Sequence, residues 1–263
     1  MYQRCENCRT VQLSPPPCFS ELVDYYEAMP KNYQTSLEQS ASNEWKFRYL
    51  INRYLSNIFG TLEMKSSLIV DVGAFTGDFL NCLARDGFEE LVAFEINPSV
   101  LPVLRGKNLK VIETEFLTSS DLLEGSVDAI FLLDVIEHVT DPLGYIAKAH
   151  KLLKDGGYLV LTTPDSSSIF AKTLDLRWPL YDGMEHINVF SSLFFGNILR
   201  NSGFSNVEIR RLFKKTSLRY LLDIVGSWSR IIGADAVSRN FGRIPVIFYA
   251  GEFLAVARKA KSG

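Results

Sequence analysis

The chain has 263 residues, 47% of them hydrophobic, with 28 basic and 30 acidic side chains and a formal net charge of −2. This length and hydrophobic content are enough for one large α/β domain with a buried core. The near balance of charge argues against a nucleic-acid-binding protein, so no nucleic-acid partner is expected.

Residues 1–18 are rich in cysteine, proline and polar side chains. With Cys82, the N-terminal Cys5, Cys8 and Cys18 are too few and too clustered for a disulfide scaffold. The first residues lack the apolar segment of a signal peptide. No apolar run reaches the roughly 18–20 residues of a membrane span. We therefore expect a cytoplasmic protein.

Residues 19–60 are predicted to form a helical N-terminal cap. A short amphipathic helix is plausible from Phe19 to Tyr26, and a polar loop follows over Met29–Ala41. Asn43 then caps a helix whose apolar residues recur at helical spacing from Phe47 to Ile58. Gly60 is a suitable C-terminal stop.

Beyond residue 61 the pattern alternates between strands and helices. The predicted strands are Leu68–Val72, Leu91–Phe94, Leu109–Ile112, Ala129–Leu133, Tyr158–Thr163, Val207–Arg211 and Val246–Arg258. The predicted helices are Asp78–Arg85, Pro98–Arg105, Pro142–Leu153, Ser192–Ser202 and Ser217–Ile232. Such alternation predicts an α/β fold with a parallel sheet whose ligand lies at the carboxyl ends of the strands.

The stretch from Ser67 to Pro98 carries the strongest functional pattern. An apolar strand ends in a turn with Asp71, Gly73 and Gly77, and the next strand ends at Glu95. An acid in that place can accept hydrogen bonds from the two hydroxyls of a ribose. A dinucleotide cofactor is disfavoured because the loop lacks the second glycine of its phosphate-binding fingerprint, and the side chains at positions 75 and 76 would crowd a pyrophosphate.

This pattern resembles the class I S-adenosylmethionine-dependent methyltransferases. The resemblance continues in order to Asp165, through the segments SVDAI at 126–130, LDVIEHVTDP at 133–142 and LLKDGG at 152–157. It implies a Rossmann-like sheet of seven mostly parallel strands, with an antiparallel last strand and helices on both faces. The implied methyltransferase domain covers 61–263, with an inserted, lid-like helical region at 212–245. Phe75 departs from the family, in which many members carry glycine there.

The resemblance also implies a set of residues that bind S-adenosylmethionine. Glu95 would bind the ribose, Ile96 would pack on the adenine, Glu115 would accept from its amino group, and Phe116 would flank the ring. Gly73 and Gly77 would let the backbone approach the methionine part, and Asp71 would orient the loop. The full implied set is Asp71, Gly73, Ala74, Phe75, Gly77, Glu95, Ile96, Glu115, Phe116 and Asp134.

Methyl transfer to a hydroxyl also needs a group that removes its proton. Of three histidines, His138 and His186 follow predicted strands and so lie at the ligand edge, whereas His150 is expected on the surface. The run Asp134-x-x-Glu137-His138, with His186, is similar to the metal motif of ubiquinone-pathway and plant small-RNA O-methyltransferases. Two interpretations stay open: the histidines act as metal-free bases, or the four residues bind a divalent cation.

Cys5-x-x-Cys8 is similar to half of the zinc ribbon that precedes some sugar and natural-product methyltransferases. A closed zinc site needs four ligands. We therefore interpret 1–18 as a degenerate or truncated ribbon, with a zinc site shared between subunits as the alternative.

An apolar helical stripe with nearby lysines and arginines covers 214–232. It indicates a lid helix on the sheet edge or, as an alternative, peripheral contact with a membrane.

The function expected from these patterns is methyl transfer from S-adenosylmethionine to a small-molecule acceptor, most simply a hydroxyl of a glycan, a quinone precursor or a secondary metabolite. Two rivals remain: an inactive nucleoside-binding module on the same fold, and a nicotinamide oxidoreductase. The sequence carries no readable code for the acceptor or the oligomeric state.

Overall fold

A computed structural model describes residues 1–18, 21–22, 40–181, 183, 185–217 and 244–261. The strands are β1 (Tyr2–Arg4), β2 (Val11–Leu13), β3 (Ile69–Val72), β4 (Leu91–Phe94), β5 (Lys110–Ile112), β6 (Val127–Leu133), β7 (Leu153–Pro164), β8 (Asn188–Val189), β9 (Phe204–Ser217) and β10 (Pro245–Lys259). The α-helices are α1 (Ser40–Leu50), α2 (Ser56–Phe59), α3 (Asp78–Arg85), α4 (Leu101–Arg105), α5 (Pro142–Leu152), α6 (Ile169–Leu174) and α7 (Ser192–Asn201). A π-helical turn, Ile51–Leu55, joins α1 to α2, and a 3-10 turn, Asp175–Arg177, follows α6.

The main sheet has seven strands in the order β5-β4-β3-β6-β7-β10-β9. The pairs among β3, β4, β5, β6 and β7 are all parallel, whereas β10 runs antiparallel to both of its neighbours. The predicted fold class, including the antiparallel last strand, is confirmed. Because β3, β4, β5, β6 and β7 run the same way, their carboxyl ends form one edge, and that edge carries the loop that follows each strand.

The apolar core lies on both faces of this sheet. Val70, Ile130 and Leu161 belong to one cluster, which includes residues of α5 and α7. Neighbours in the same strands, Phe131 and Val160, belong to the cluster formed with α3 and the N-terminal helices. Alternate side chains of a strand point to opposite faces, so a sheet covered by helices on both sides needs apolar residues at successive positions.

The N-terminal helix is longer than predicted. It begins at Ser40 rather than after Asn43 and continues through the π-helical turn to Phe59, and Gly60 caps its C-terminal end as predicted. Its buried residues Ile51, Leu55 and Ile58 pack in the cluster that includes α3. Most of the predicted helix at Phe19–Tyr26 and most of the loop at Met29–Ala41 lie outside the described residues.

The C-terminal strands differ most from the prediction. β9 continues to Ser217 and pairs along its length with β10, from Phe204↔Lys259 to Ser217↔Pro245. The beginning of the region 212–245 is therefore strand rather than helix, because these residues extend a β-ladder with a distant partner. Apart from Ser217, the predicted helix Ser217–Ile232 lies outside the described residues.

A second, three-stranded antiparallel sheet was not predicted. β1 and β2 form a hairpin, and β8 pairs with β2. Residues 1–13 are thereby attached to a segment more than 170 positions away in the chain. In the described part of the chain, no helix has the length and apolar character needed to cross a membrane.

Candidate active site

The loop between β3 and α3 is tightly folded against the end of β4. The amides of Gly73 and Ala74 both donate to the Phe94 carbonyl, at 2.9 and 3.0 Å. Gly73 and Gly77 have φ angles of +69° and +73°, which favour glycine. A Cβ at Gly73 would lie 2.7 Å from a methyl of Val135, so bulk is excluded sterically as well. This loop therefore presents backbone to the carboxyl edge.

Phe75, the residue that departs from the family pattern, also has a positive φ, of 50°. Its amide donates to Glu95 Oε2 at 2.7 Å. An L-residue in this conformation carries backbone strain. The hydrogen bond to Glu95 offsets part of that strain. It also joins the β3–α3 loop to the end of β4, the two segments that the sequence predicts to bind the same cofactor.

Glu95 lies at the end of β4 and is only 8% exposed. Its Oε1 accepts from the amides of Ile96 and Asn97 at 2.9 and 2.8 Å, in addition to the Phe75 bond on Oε2. Burial raises the pKa of Glu95, and the three backbone donors limit the rise. Burial, together with the neighbouring Glu95 charge, also raises the pKa of Asp71 well above its usual range. The site thus holds two buried acids, of which Glu95 is ordered by backbone amides.

The residues predicted around the adenine differ in their surroundings. Ile96 is 42% exposed, as a residue that packs on a ligand should be. Glu115 accepts from the Tyr145 hydroxyl and, at 2.9 Å, from the Thr118 amide. Phe116 is only 2% exposed and its ring packs in the core cluster, and its role beside the adenine stays a prediction.

Asp134 follows β6 and is engaged by an ammonium group. Its Oδ1 accepts from the Thr162 hydroxyl at 2.6 Å, and its Oδ2 lies 2.7 Å from Lys214 Nζ. Lys214 also lies 2.8 Å from Glu252 Oε1. Desolvation raises the pKa of Asp134, but Lys214 more than offsets this and lowers it. Asp134 is therefore one arm of a charged bridge between β6, β9 and β10.

Lys214 and Glu252 were missed as site residues. The sequence pattern places Lys214 in a basic helical stripe, but it belongs to β9 and contacts Asp134 at the carboxyl edge. Glu252 is buried on β10, and its Oε2 has no hydrogen-bond partner among the described residues. A long apolar strand interrupted by one acid was the only available signal for Glu252.

Glu137, His138 and His186 form a compact cluster. One potential ligand atom from each lies within 4.8 Å of the other two, and the imidazole centroids are 4.9 Å apart. Glu137 is 1% exposed, and its Oε2 has no hydrogen-bond partner among the described residues. Burial and the nearby Asp134 charge raise the pKa of Glu137 to about 8. The segment after β6 and the segment before β8, which are distant in sequence, thus bring these three side chains together.

Both imidazoles are oriented by backbone carbonyls. His138 Nδ1 lies 2.6 Å from the Glu185 carbonyl oxygen, and His186 Nδ1 lies 2.8 Å from that of Leu180. A carbonyl only accepts, so Nδ1 carries the hydrogen in each bond, and in the neutral ring Nε2 carries the lone pair. His150, by contrast, lies near the end of α5, where it contacts Gly203 and Phe204 at the start of β9, away from this cluster.

The cluster of Glu137, His138 and His186 fits a divalent cation. Two imidazoles and one carboxylate are common ligands of such ions, and an Nδ1–H bonded to a carbonyl is the usual second contact of a ligating histidine. The buried Glu137 oxygen without a hydrogen-bond partner is consistent with such a ligand. Asp134, the fourth residue of the motif, is instead paired with Lys214.

Cys5 and Cys8 lie in the turn of the β1–β2 hairpin, whereas Cys18 follows β2. Cys5 and Cys18 are exposed and Cys8 is partly buried. The backbone N–H groups of Cys8 and Asn7 lower the pKa of the Cys5 thiol. The one group of three potential metal ligands among the described residues is the histidine cluster. The interpretation of residues 1–18 as a degenerate or truncated ribbon, with a zinc site shared between subunits as the alternative, stays a prediction.

Comparison with protein families gives one match across this region. A family profile described as a methyltransferase domain matches residues 43–209, which is more than half of the chain and includes all the site residues from Asp71 to His186.

Two curated relatives are O-methyltransferases. The chain is 29% identical over 147 residues to the ubiquinone biosynthesis O-methyltransferase of Xanthomonas campestris, covering 50% of this chain and 61% of that protein. It is 28% identical over 129 residues to the malonyl-[acyl-carrier protein] O-methyltransferase of Hahella chejuensis, covering 47% of this chain and 45% of that protein. The matched part thus spans less than two thirds of either relative.

The fold has solved counterparts. A Thermotoga maritima S-adenosylmethionine-dependent methyltransferase, described as a possible histamine N-methyltransferase, superposes with a TM-score of 0.58 at 15% identity. The match covers 90% of this chain and 99% of that one. At such low identity the likeness concerns the architecture of the sheet and its helices.

Proposed function

This chain belongs to the class I S-adenosylmethionine-dependent methyltransferases, and on that premise we propose that it transfers the methyl group of S-adenosylmethionine to a hydroxyl oxygen of a small molecule. The observation that carries the choice of a hydroxyl is the pair of oriented imidazoles at the carboxyl edge of the sheet. Family membership counts against the nicotinamide oxidoreductase, and turnover of the cofactor would separate an enzyme from an inactive binding module.

The cofactor is proposed to lie over the β3–α3 loop. Glu95 would accept from the ribose hydroxyls, Ile96 would pack on the adenine, and the glycine backbone would face the methionine part. The bound cofactor supplies an electrophilic methyl group on a sulfonium. The ordered carboxylate of Glu95 supports this placement, because three backbone amides hold it at the strand end before any ligand arrives.

His138 and His186 are proposed to act at the acceptor oxygen. With Nδ1 donating to a carbonyl, Nε2 of either ring is the atom that can take the hydroxyl proton. The same carbonyl stabilises the resulting imidazolium, because it lies beside the positively charged N–H. A carboxylate acceptor is already ionised near neutral pH and needs no base. The imidazole pair therefore favours a hydroxyl acceptor over a carboxylate one.

A divalent cation on Glu137, His138 and His186 is the alternative use of the same residues. Such an ion would lower the pKa of a bound hydroxyl. A ring nitrogen that ligates a metal does not accept a proton, so the two uses of the imidazoles are distinguishable. The buried Glu137 oxygen supports the metal, whereas the pairing of Asp134 with Lys214 counts against the complete four-residue set.

The test is a turnover assay that measures release of S-adenosylhomocysteine with two acceptor probes. Protocatechuate offers phenolic hydroxyls as well as a carboxylate, malonyl-coenzyme A offers only a carboxylate, and mass spectrometry of the product identifies the methylated oxygen. We expect methylation of protocatechuate at a phenolic oxygen, reduced roughly a hundredfold or more in the His138→Ala/His186→Ala variant, in line with the usual contribution of a general base. Unchanged turnover in that variant would contradict the proposed base.

Addition of EDTA to the wild-type enzyme distinguishes the two mechanisms. Activity that survives EDTA supports the metal-free base. Activity that is lost with EDTA and restored by a divalent ion supports the metal. His150→Ala is the matched control, because His150 lies apart from the cluster.

The cytoplasmic location and the membrane contact are also proposals. Cys5, Cys8 and Cys82 are free thiols, as expected in a reducing compartment. The membrane contact through 214–232 is weakened because Lys214 is engaged in ion pairs. Cell fractionation tests the first proposal, and sedimentation with anionic vesicles tests the second.

A further inference from the structure

The loop that carries His186 is attached to the N-terminal hairpin rather than to the main sheet alone. β8 follows His186 by two residues and pairs antiparallel with β2, with Gln12 opposite Asn188. The Leu13 amide also donates to the Ile187 carbonyl at 2.8 Å. Residues 1–14, named here the N-terminal hairpin, thus hold the backbone immediately after His186.

Tyr2 holds the same loop on the other side. Its hydroxyl donates to the His186 carbonyl at 2.8 Å and accepts from the Gly183 amide at 3.1 Å. Its ring also packs on Tyr181, with 5.1 Å between the centroids. One phenol therefore links three positions of the loop that presents the imidazole.

Asn188 carries this connection to the second imidazole. Its amide donates to the Glu137 carbonyl at 3.0 Å, and its Nδ2 donates to the Val139 carbonyl at 2.8 Å, so the segment with His138 is held from both sides. Gln12 Nε2 in turn donates to Asn188 Oδ1 at 3.0 Å. Direct hydrogen bonds thus join the hairpin to the backbone of His186 and, through Asn188, to the backbone on either side of His138.

We infer that the N-terminal hairpin sets the relative position of the two imidazoles, and that Tyr2 is a positioning residue for His186. The inference rests on the proposed function, because it concerns the imidazoles proposed to act on the acceptor. It gives residues 1–14 a role in methyl transfer that does not depend on zinc. Tyr2 acts through the His186 backbone and does not need to touch either substrate.

The test uses Tyr2→Phe in the full chain, which removes the hydroxyl and keeps the ring on Tyr181. Tyr158→Phe is the matched control, because the Tyr158 hydroxyl accepts a hydrogen bond from the Thr61 hydroxyl at 3.3 Å, away from the imidazoles. The readout is the NMR chemical shift of the imidazole nitrogens in protein labelled with 15N-histidine. The chain has only three histidines, so the spectrum is simple, and single substitutions assign each signal to its residue.

We expect the His186 ring nitrogens in Tyr2→Phe to shift from the Nδ1–H form towards the tautomer mixture of a free imidazole, while His150 is unchanged. With protocatechuate as acceptor, kcat should fall roughly fivefold, as loss of such hydrogen bonds typically costs. The calorimetric Kd for S-adenosylmethionine should stay within about twofold, because the proposed cofactor contacts do not involve the hairpin.

Unchanged His186 nitrogen shifts in Tyr2→Phe would overturn the inference, as would a shift with no change in kcat. Equal effects in Tyr158→Phe would also overturn it, because they would indicate a general loss of stability. If the wild-type enzyme does not turn over protocatechuate, the proposed acceptor class fails, and the nitrogen shifts alone decide whether Tyr2 positions His186.

Discussion

Replacement of Glu95 by glutamine tests the proposed cofactor site with almost no change in shape. Glu95 Oε1 accepts from two backbone amides and Oε2 accepts from the Phe75 amide. In Glu95→Gln, the single side-chain oxygen can accept either from the Ile96 and Asn97 amides or from the Phe75 amide, but not from both. The NH2 group then faces backbone N–H donors or the ribose hydroxyls, and the negative charge is lost.

The magnitude follows from the hydrogen bonds that depend on that charge. A hydrogen bond to a charged group contributes about 1.5–3 kcal/mol. Loss of one such bond to the ribose would weaken binding roughly ten- to a hundredfold, since 1.4 kcal/mol corresponds to a factor of ten. Because S-adenosylmethionine and S-adenosylhomocysteine share the ribose, both should be weakened by the same factor.

Calorimetric titration with both adenosyl ligands measures the effect. The matched control is Glu113→Gln, which alters an exposed acid that pairs with Arg105 Nε at 2.7 Å. Binding by wild type should also weaken on acidification, from a pH above the usual glutamate range, because burial raises the pKa of Glu95. Glu95→Gln should lack that pH dependence. A folded Glu95→Gln protein with wild-type affinity would refute the assignment of Glu95 to the ribose.

Three further changes test the neighbouring features. Lys214→Met leaves Asp134 and Glu252 without their cation and should lower the free energy of unfolding by about 1–3 kcal/mol, a value reduced for partial exposure. Urea unfolding should show that Lys214→Met/Glu252→Gln regains part of the lost free energy of unfolding. Glu137 has a pKa of about 8 in the fold against 4.5 for an ordinary glutamate. Between these values the native state holds a proton that the unfolded state has lost, so the free energy of unfolding should fall as pH rises through that interval. Urea unfolding in EDTA should give a flatter dependence of this free energy on pH for Glu137→Gln, and an equally steep dependence would contradict the assignment. Gly73→Ala should weaken calorimetric binding of S-adenosylmethionine at least tenfold, because a Cβ meets a valine methyl at 2.7 Å and φ is +69°; unchanged affinity would show that the loop tolerates bulk.

Parts of the fold were predictable because they depend on local pattern. The bounds of α3 and β4 match the predicted Asp78–Arg85 and Leu91–Phe94. Both segments are short, strongly apolar on the buried side, and flanked by glycine or charged residues. β7 begins at Leu153, five residues before the predicted start at Tyr158, because Leu153 pairs with Val127 of β6 and the strand thereby continues through residues with little strand preference of their own.

The sequence was enough to predict which candidate site residues lie at the carboxyl edge, but not which side chains they contact. The positions of Glu95, Asp134 and His138 at the carboxyl edge follow from the alternation of strands and helices. That Asp134 pairs with a lysine 80 residues away, and that Phe116 turns into the core, depends on how separate elements pack. Residue type alone does not distinguish an acid that faces a ligand from one that faces a lysine.

Local sequence pattern was enough to predict the order of the main-sheet elements from β3 to β7, the class of sheet and the glycine-containing loop proposed to meet the cofactor, because apolar periodicity and glycine placement act over a few residues. The pairing of the N-terminal hairpin with β8, the Lys214 bridge between Asp134 and Glu252, and the convergence of Glu137, His138 and His186 emerge only from tertiary packing. These contacts join segments tens to hundreds of residues apart. Their formation depends on the loop closures and strand pairings of the whole fold, which no local pattern encodes.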